Sequence, residues 1–119
     1  MKNVLFIIGA LSFLISCNED QELTETYDSI NVELAKNELY TYGSKSSGDE
    51  DGGHVYQQAK HYEISEVVRD SSFRLVYRYQ PEQNYIGKDT VQIVITSGSD
   101  GASPPNHFEY ITIAFVIEE

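Results

Sequence analysis

The sequence predicts an all-β protein, a sandwich of two sheets, preceded by an N-terminal secretion segment. After residue 29 the apolar residues alternate with polar ones at a period of two, which is the pattern of half-buried strands. Such segments recur along the chain and are separated by Gly, Pro, Asn and Asp, as in β-sandwiches. With 119 residues, of which 40% are hydrophobic and 12% aromatic, the composition is that of a globular chain and excludes collagen-like and wholly disordered proteins.

The N-terminus has the features of a secretory signal. Lys2 is followed by an apolar run, residues 4–15, that only Ser12 interrupts. This run is shorter than the roughly 20 residues that cross a bilayer, which favours a cleaved signal over an anchor helix. The stretch Leu14-Ile15-Ser16-Cys17 resembles the bacterial lipobox, which implies that residues 1–16 are removed and that Cys17 is lipidated. The alternative is an ordinary signal peptide with a chance cysteine.

Residues 17–28 are predicted to form an acidic tether. This segment contains five carboxylates and one aliphatic residue, so it cannot bury enough apolar surface to offset the entropy of ordering. Its acidic cluster resembles the export signal that sends some Gram-negative lipoproteins to the outer leaflet of the outer membrane. A solvated linker without such a role is the alternative. The folded domain is then expected to span residues 29–119.

The domain is predicted to contain six strands, in order, at residues 30–34, 38–43, 62–68, 72–80, 89–97 and 107–118. In the fourth, alternation places Phe73, Leu75, Tyr77 and Tyr79 on one face. Residues 44–53 are a loop by composition. Residues 35–39 and 57–64 are the two stretches that could instead be helical, although neither reaches three turns.

One motif refines this prediction. The pattern Tyr79-x-Pro81-x3-Tyr85-x-Gly87-x-Asp89, followed by an alternating strand and then Ser99-Asp100-Gly101, resembles the cadherin-like and Ig-like repeats of bacterial surface proteins. The resemblance implies an Ig-like or cadherin-like antiparallel β-sandwich. The residues themselves agree with a turn, because proline cannot donate to a sheet and glycine tolerates positive φ.

Charge and cysteine content exclude several classes of function. The net charge of −11 repels a phosphate backbone, so nucleic acid is not an expected partner. One cysteine and no further thiols exclude Cys-based zinc and iron–sulfur sites. The three histidines, His54, His61 and His107, lack the spacing of a zinc motif and are predicted to lie at the surface.

The acidic loop is the candidate metal site. Asp49, Glu50 and Asp51, flanked by glycines, offer the hard oxygen ligands that calcium prefers. Their spacing departs from that of an EF-hand, and a solvated acidic loop without a bound ion is the favoured alternative. No other cofactor is expected.

Two sets of residues are candidates for ligand binding. Arg74 and Arg78, close to Arg69, would suit carboxylates of a partner or an acidic glycan, or would offset neighbouring acids within a sheet. Tyr40 and Tyr42, with Tyr56 and Tyr62, could stack on sugars, or could pack in the core and at its rim.

The sequence therefore predicts a lipid-anchored, non-catalytic binding or structural module of the cell envelope, acting through loops or an edge strand. It would be held in a membrane, by expectation the outer membrane, and its partner would be a protein or a glycan. The first alternative is an accessory or inhibitor subunit that docks on a larger envelope complex. A small hydrolase is the more remote alternative, because no catalytic motif such as G-x-S-x-G is present.

Overall fold

The computed structural model describes residues 22–119, which form seven strands in two packed sheets. Their bounds are β1 Thr24–Ala35, β2 Tyr40–Gly43, β3 Gly52–Gln57, β4 Tyr62–Arg69, β5 Leu75–Pro81, β6 Gly87–Ser97 and β7 His107–Glu118. The predicted all-β sandwich is confirmed. Residues 35–39 and 57–64, the two helical alternatives, contain turn and strand instead of helix. No helix in the described part of the chain is long and apolar enough to span a membrane.

The strand order is that of an immunoglobulin-type sandwich. One sheet has the order β1-β7-β6-β3 and the other β2-β5-β4, so the second, fifth and fourth strands face the third, sixth and seventh as in that fold. The expectation of a wholly antiparallel sandwich needs one correction, because β1 pairs with β7 in parallel, from Thr24 opposite His107 to Ala35 opposite Glu118. All other pairs are antiparallel.

The folded region begins earlier than the expected start at residue 29. Residues 24–28 are exposed and largely polar, yet they continue β1 in register with β7. Main-chain hydrogen bonds to an already ordered neighbouring strand satisfy their backbone groups and give an order that apolar content alone does not predict. The predicted signal segment, residues 1–16, together with Cys17 and the first part of the predicted tether, residues 18–21, lies outside the described residues.

The core lies between the sheets and follows the alternation of the strands. β7 buries every second residue from Ile111 to Ile117, and β5 buries Tyr77 and Tyr79 from the opposite side. β6 follows the same alternation except at Val94, which is also buried. The Tyr79 and Phe115 rings stack with their centroids 3.9 Å apart. β7, the most strongly patterned segment, has the bounds that the sequence predicts.

The residues of the predicted turn motif, from Tyr79 to Asp89, make a set of contacts at one end of the core, which we call the latch. β5 ends at Pro81 as expected, and Tyr85 packs on the core and donates its hydroxyl to the Lys88 carbonyl at 2.7 Å. Gly87 has a φ of 143°. Asp89 is buried and accepts hydrogen bonds from the Tyr79 hydroxyl and the His61 amide, both at 2.8 Å. These residues therefore join β5 and β6 to the connection that follows β3.

The two ends of the sandwich differ. We call the end formed by residues 36–39, 58–61 and 82–86 the turn end, since its connections are short and tied by the latch. We call the opposite end the loop end. It contains the connections 44–51, 70–74 and 98–106, and β1 enters from it at Thr24.

Candidate functional site

The three connections of the loop end form one continuous surface. The Arg69 guanidinium donates to the carbonyl oxygens of Phe73 at 2.7 Å, Asp51 at 2.6 Å and Gly48 at 3.1 Å, which joins connection 44–51 to connection 70–74. Connection 98–106 approaches from the other side, where a Cβ atom on Gly101 would lie 3.2 Å from the Glu50 carboxylate. The three connections, each of which joins a different pair of strands, therefore lie side by side.

Phe73 is the most unusual residue of this surface. The expected position in a strand, on the face of Leu75 and Tyr77, is wrong, because Phe73 lies in the turn before β5 and its side chain is 64% exposed. Its backbone has a φ of 67°, a left-handed conformation that is rare for a bulky residue. The Phe73 amide donates to the Asp70 carbonyl at 2.9 Å, and Arg69 holds its carbonyl.

The turn that carries Phe73 is formed by an aspartate. The Asp70 carboxylate accepts from the amides of Ser72 at 2.8 Å and Arg74 at 3.0 Å. The bond from the Arg74 amide is the main reason why the pKa of Asp70 is lowered. Asp70 therefore shapes the turn as a capping carboxylate, and Phe73 follows at its tip.

The calcium candidates do not converge on one point in the structure. Asp49 lines a shallow hollow of about 400 Å³ with Arg69 and Phe73, and Glu50 lies against Gly101. The Asp51 carboxylate accepts from the Gly48 amide at 3.2 Å, within its own loop. Among residues 22–119 no three His, Cys, Asp or Glu side chains are gathered as metal ligands would be.

Asp100 likewise serves its own loop. Its carboxylate accepts from the amides of Ala102 and Ser103 and from the Ser103 hydroxyl, at 2.8 to 2.9 Å. These bonds, with that from Ala102 the largest cause, lower the pKa of Asp100. All three bonds are accepted by Oδ1, and through this oxygen Asp100 stabilises the loop.

Arg74, in the turn before β5, and Arg78, within β5, line one hollow. Both line a hollow of about 310 Å³ on the outer face of the sheet β2-β5-β4, with Val76 between them. Each also lies near an acid: Arg74 Nε is 3.5 Å from Asp70, and Arg78 Nη1 is 3.8 Å from Glu66. Gly43 leaves room for the Arg74 guanidinium, which a Cβ there would approach to 3.2 Å.

Tyr40 and Tyr42 are not an exposed platform. Both are half-buried at the edge of the core, and the Tyr40 ring meets that of Phe115 edge to face at 5.6 Å. Burial raises the pKa of both tyrosines. The face on which strand β2 presents them is the inner one, which the sequence pattern alone did not distinguish from the outer face. His54 is exposed, whereas His61 and His107 are half-buried.

Comparison with known proteins gives no family. No family model and no curated protein matches the chain. Among solved structures, a cysteine protease inhibitor from Entamoeba histolytica is similar to it, with 12% sequence identity and a TM-score of 0.46, over 79% of this chain and 97% of the inhibitor.

Proposed function

We propose that this protein is a lipid-anchored, non-catalytic binding module of the cell envelope that docks on a protein partner through its loop end. The observation that carries the proposal is Phe73, an exposed aromatic residue held in a left-handed conformation at the junction of the loops. A backbone conformation that costs about 1 to 3 kcal/mol persists where surrounding contacts enforce it, and such residues concentrate at functional sites.

The chemistry of the loop end suits recognition. Exposed aromatic anchors, seated in a partner's pocket, account for much of the binding energy of protein interfaces. The surrounding carboxylates and Arg74 can form a polar rim around Phe73, and the sandwich behind them is a rigid support. Connections 44–51 and 98–106 provide further contact area.

The test is capture of a partner by the native lipoprotein and its variants from detergent-solubilised envelope. Phe73→Gly is the informative variant, because glycine adopts a φ of 67° without strain and the domain should remain folded. Ile86→Ala is the matched control, since Ile86 is 50% exposed at the turn end. We expect Phe73→Gly to lose at least nine-tenths of the captured partner and Ile86→Ala to retain it. Equal recovery by both variants would contradict docking through the loop end.

The anchor is tested separately. The lipobox resemblance supports lipidation of Cys17 and attachment to a membrane, by expectation the outer one. We expect Cys17→Ala to abolish metabolic labelling with a fatty-acid analogue and to move the protein into the soluble fraction. A variant that remained in the membrane fraction would contradict the anchor without bearing on the loop end.

A further inference from the structure

A second surface lies on the outer face of the sheet β1-β7-β6-β3, away from the loop end. On β7 the residues Ile111 and Ile113 face the core, so Tyr110 and Thr112 face outward. The register of the sheet sets Tyr27 of β1 beside Tyr110, and Gln92 of β6 beside Thr112. This outer face therefore combines aromatic rings with amide and hydroxyl groups.

Three tyrosines form a cluster on this face. The rings of Tyr27 and Tyr110 are stacked at 5.0 Å, and Tyr56 of β3 meets Tyr110 edge to face at 5.4 Å. Tyr27 is 68% exposed and Tyr56 is 60% exposed, so most of both side chains is accessible. Burial, and next the charge of Glu25, raise the pKa of Tyr110, which stays neutral at physiological pH. Mutual packing fixes rings whose outer surfaces remain uncovered.

The middle of the face is also uncharged, although 23% of all residues in the chain are charged. A row is a set of residues that lie opposite one another on adjacent strands. Three successive rows on this face start on β1 and cross β7 and β6, and two of them reach β3: Tyr27-Tyr110-Val94-His54, Ser29-Thr112-Gln92-Gln57 and Asn31-Ala114-Thr90. None of these described rows contains Asp, Glu, Lys or Arg. A ligand over these central rows therefore meets ring surfaces and hydrogen-bonding groups, while Glu25, Glu33 and Lys88 lie in the rows on either side.

A hollow adjoins the rings. It has a volume of about 340 Å³, and its lining includes Gln57, Gln92 and Thr112, with the charged residues Lys60, Lys88 and Asp89. The Gln92 amide donates to the Thr112 hydroxyl at 3.2 Å, which orients both groups. A concave site with a few oriented polar groups is the usual form of a small-ligand site.

The area of the face indicates whether its ligand is a protein or a smaller molecule. Four strands about 4.8 Å apart and three rows about 7 Å apart give an area of roughly 400 Å². A stable protein interface buries about 800 Å² on each partner. The three uncharged rows alone are thus about half of what a folded protein needs, and their area suits a short oligosaccharide.

We infer that this face is a glycan-binding site for a neutral polysaccharide, with a sugar ring over Tyr56 and its hydroxyl groups bound by Gln57, Gln92 and Thr112. The C–H groups of a pyranose suit the negative face of an aromatic ring. Its hydroxyls both donate and accept, as amide and hydroxyl side chains require. The site lies apart from the loop end and does not depend on the function proposed for it.

The test is affinity electrophoresis of the full lipoprotein in detergent, in gels that contain xylan, glucomannan, mixed-linkage β-glucan, dextran or, as the acidic arm, polygalacturonate. We expect at least one neutral polysaccharide to retard the protein. Tyr56→Ala and Gln92→Ala should each weaken that retardation at least tenfold in apparent Kd. Tyr62→Ala is the matched control, because Tyr62 is an exposed tyrosine on β4 in the other sheet. It should bind like the unchanged protein.

Three results would overturn the inference: no retardation by any neutral polysaccharide, retardation by polygalacturonate alone, or unchanged binding by both Tyr56→Ala and Gln92→Ala. Melting curves of the variants establish that they are folded. Tyr56 is largely exposed and Gln92 is not a core residue, so neither substitution removes a core contact. Loss of binding with unchanged melting therefore reports on the site itself.

Discussion

At the scale of single residues, the motif that identifies the turn acts mainly through one buried carboxylate. Asp89 accepts hydrogen bonds from the amides of Lys60 and His61 and from the Tyr79 hydroxyl, at 2.8 to 2.9 Å. Burial, followed by the bond to Asp89, raises the pKa of Tyr79, so its hydroxyl remains a donor. A buried carboxylate is tolerable when each of its oxygens is satisfied in this way. The most specific residues of the sequence therefore stabilise the fold.

Gly87 gives the first prediction at this scale. Its φ of 143° suits glycine, and a Cβ atom there would lie 2.7 Å from the Tyr85 hydroxyl oxygen. We expect Gly87→Val to lower the free energy of unfolding by about 1 to 3 kcal/mol, and hence Tm by about 4 °C or more for a domain of this size. The measurement is a thermal melt by circular dichroism.

Gly43→Val is the control for that melt. Gly43 lies on edge strand β2, has no positive φ, and would bring its Cβ against the movable end of Arg74. A valine suits a strand, so the change in stability should stay within about 0.5 kcal/mol. If both variants melted alike, backbone strain at Gly87 would not be the cause.

At the scale of elements, alternation predicted the strands with a regular pattern and failed where the chain departs from it. β3 was missed because Gly52 and Gly53 begin it and its register shifts between Val55 and Gln57, which breaks the period of two. The pattern of β5 continues into Phe73, yet the turn at Asp70 ends it there. The register shift in β3 depends on pairing with the distant strand β6, and the turn depends on hydrogen bonds of the Asp70 carboxylate, neither of which an apolar period contains.

The candidate binding residues show the same limit of a prediction from local sequence pattern. The clusters at Asp49–Asp51 and Arg74–Arg78 are visible in the sequence, whereas the role of Phe73 depends on Arg69, which crosses between two connections to hold it. The Tyr27–Tyr110–Tyr56 cluster needs the parallel pairing of β1 with β7. An exposed aromatic residue beside Asp and Ser in a turn is the one signal that could have indicated Phe73.

The acidic connection 44–51 gives a prediction on metal binding. Asp51 is engaged by the Gly48 amide, and Asp49 lies beside Arg69 in the hollow that both line. We therefore expect no selective calcium site. Melting temperatures of the Cys17→Ala protein should agree within about 1 °C in calcium and in magnesium at matched ionic strength, because screening does not distinguish the two ions.

A bound ion would behave differently. A site occupied at 100 times its Kd adds about 2.7 kcal/mol to stability, which is a rise in Tm of several degrees. A rise in calcium alone, removed by Asp49→Asn together with Asp51→Asn, would show that the loop rearranges into a calcium site. The EDTA-treated protein is the baseline for both ions.

At the scale of the whole molecule, the sheet topology places the loop end, rather than the turn end, next to the proposed anchor in the chain. β1 enters from the loop end at Thr24, seven residues after Cys17. Since an extended chain spans at most about 3.6 Å per residue, the start of β1 stays within roughly 25 Å of a bilayer that holds Cys17. The 12 residues of β1 rise about 40 Å, and the turn end extends away by that length. A partner of the loop end would then lie in or near the same membrane.

This orientation gives the last prediction. In a lipidated protein the only cysteine is occupied, so a cysteine introduced at Ser47 in the loop end or at Glu82 in the turn end carries a single dye. Both positions are exposed. In liposomes that contain an acceptor lipid, we expect energy transfer from the dye at residue 47 to exceed that from residue 82, because transfer falls steeply with distance. Transfer should disappear for both when Cys17→Ala prevents attachment. Equal transfer from the two positions in the attached protein would mean that the sandwich lies flat on the bilayer, and the loop end would then have no preferred access to a membrane partner.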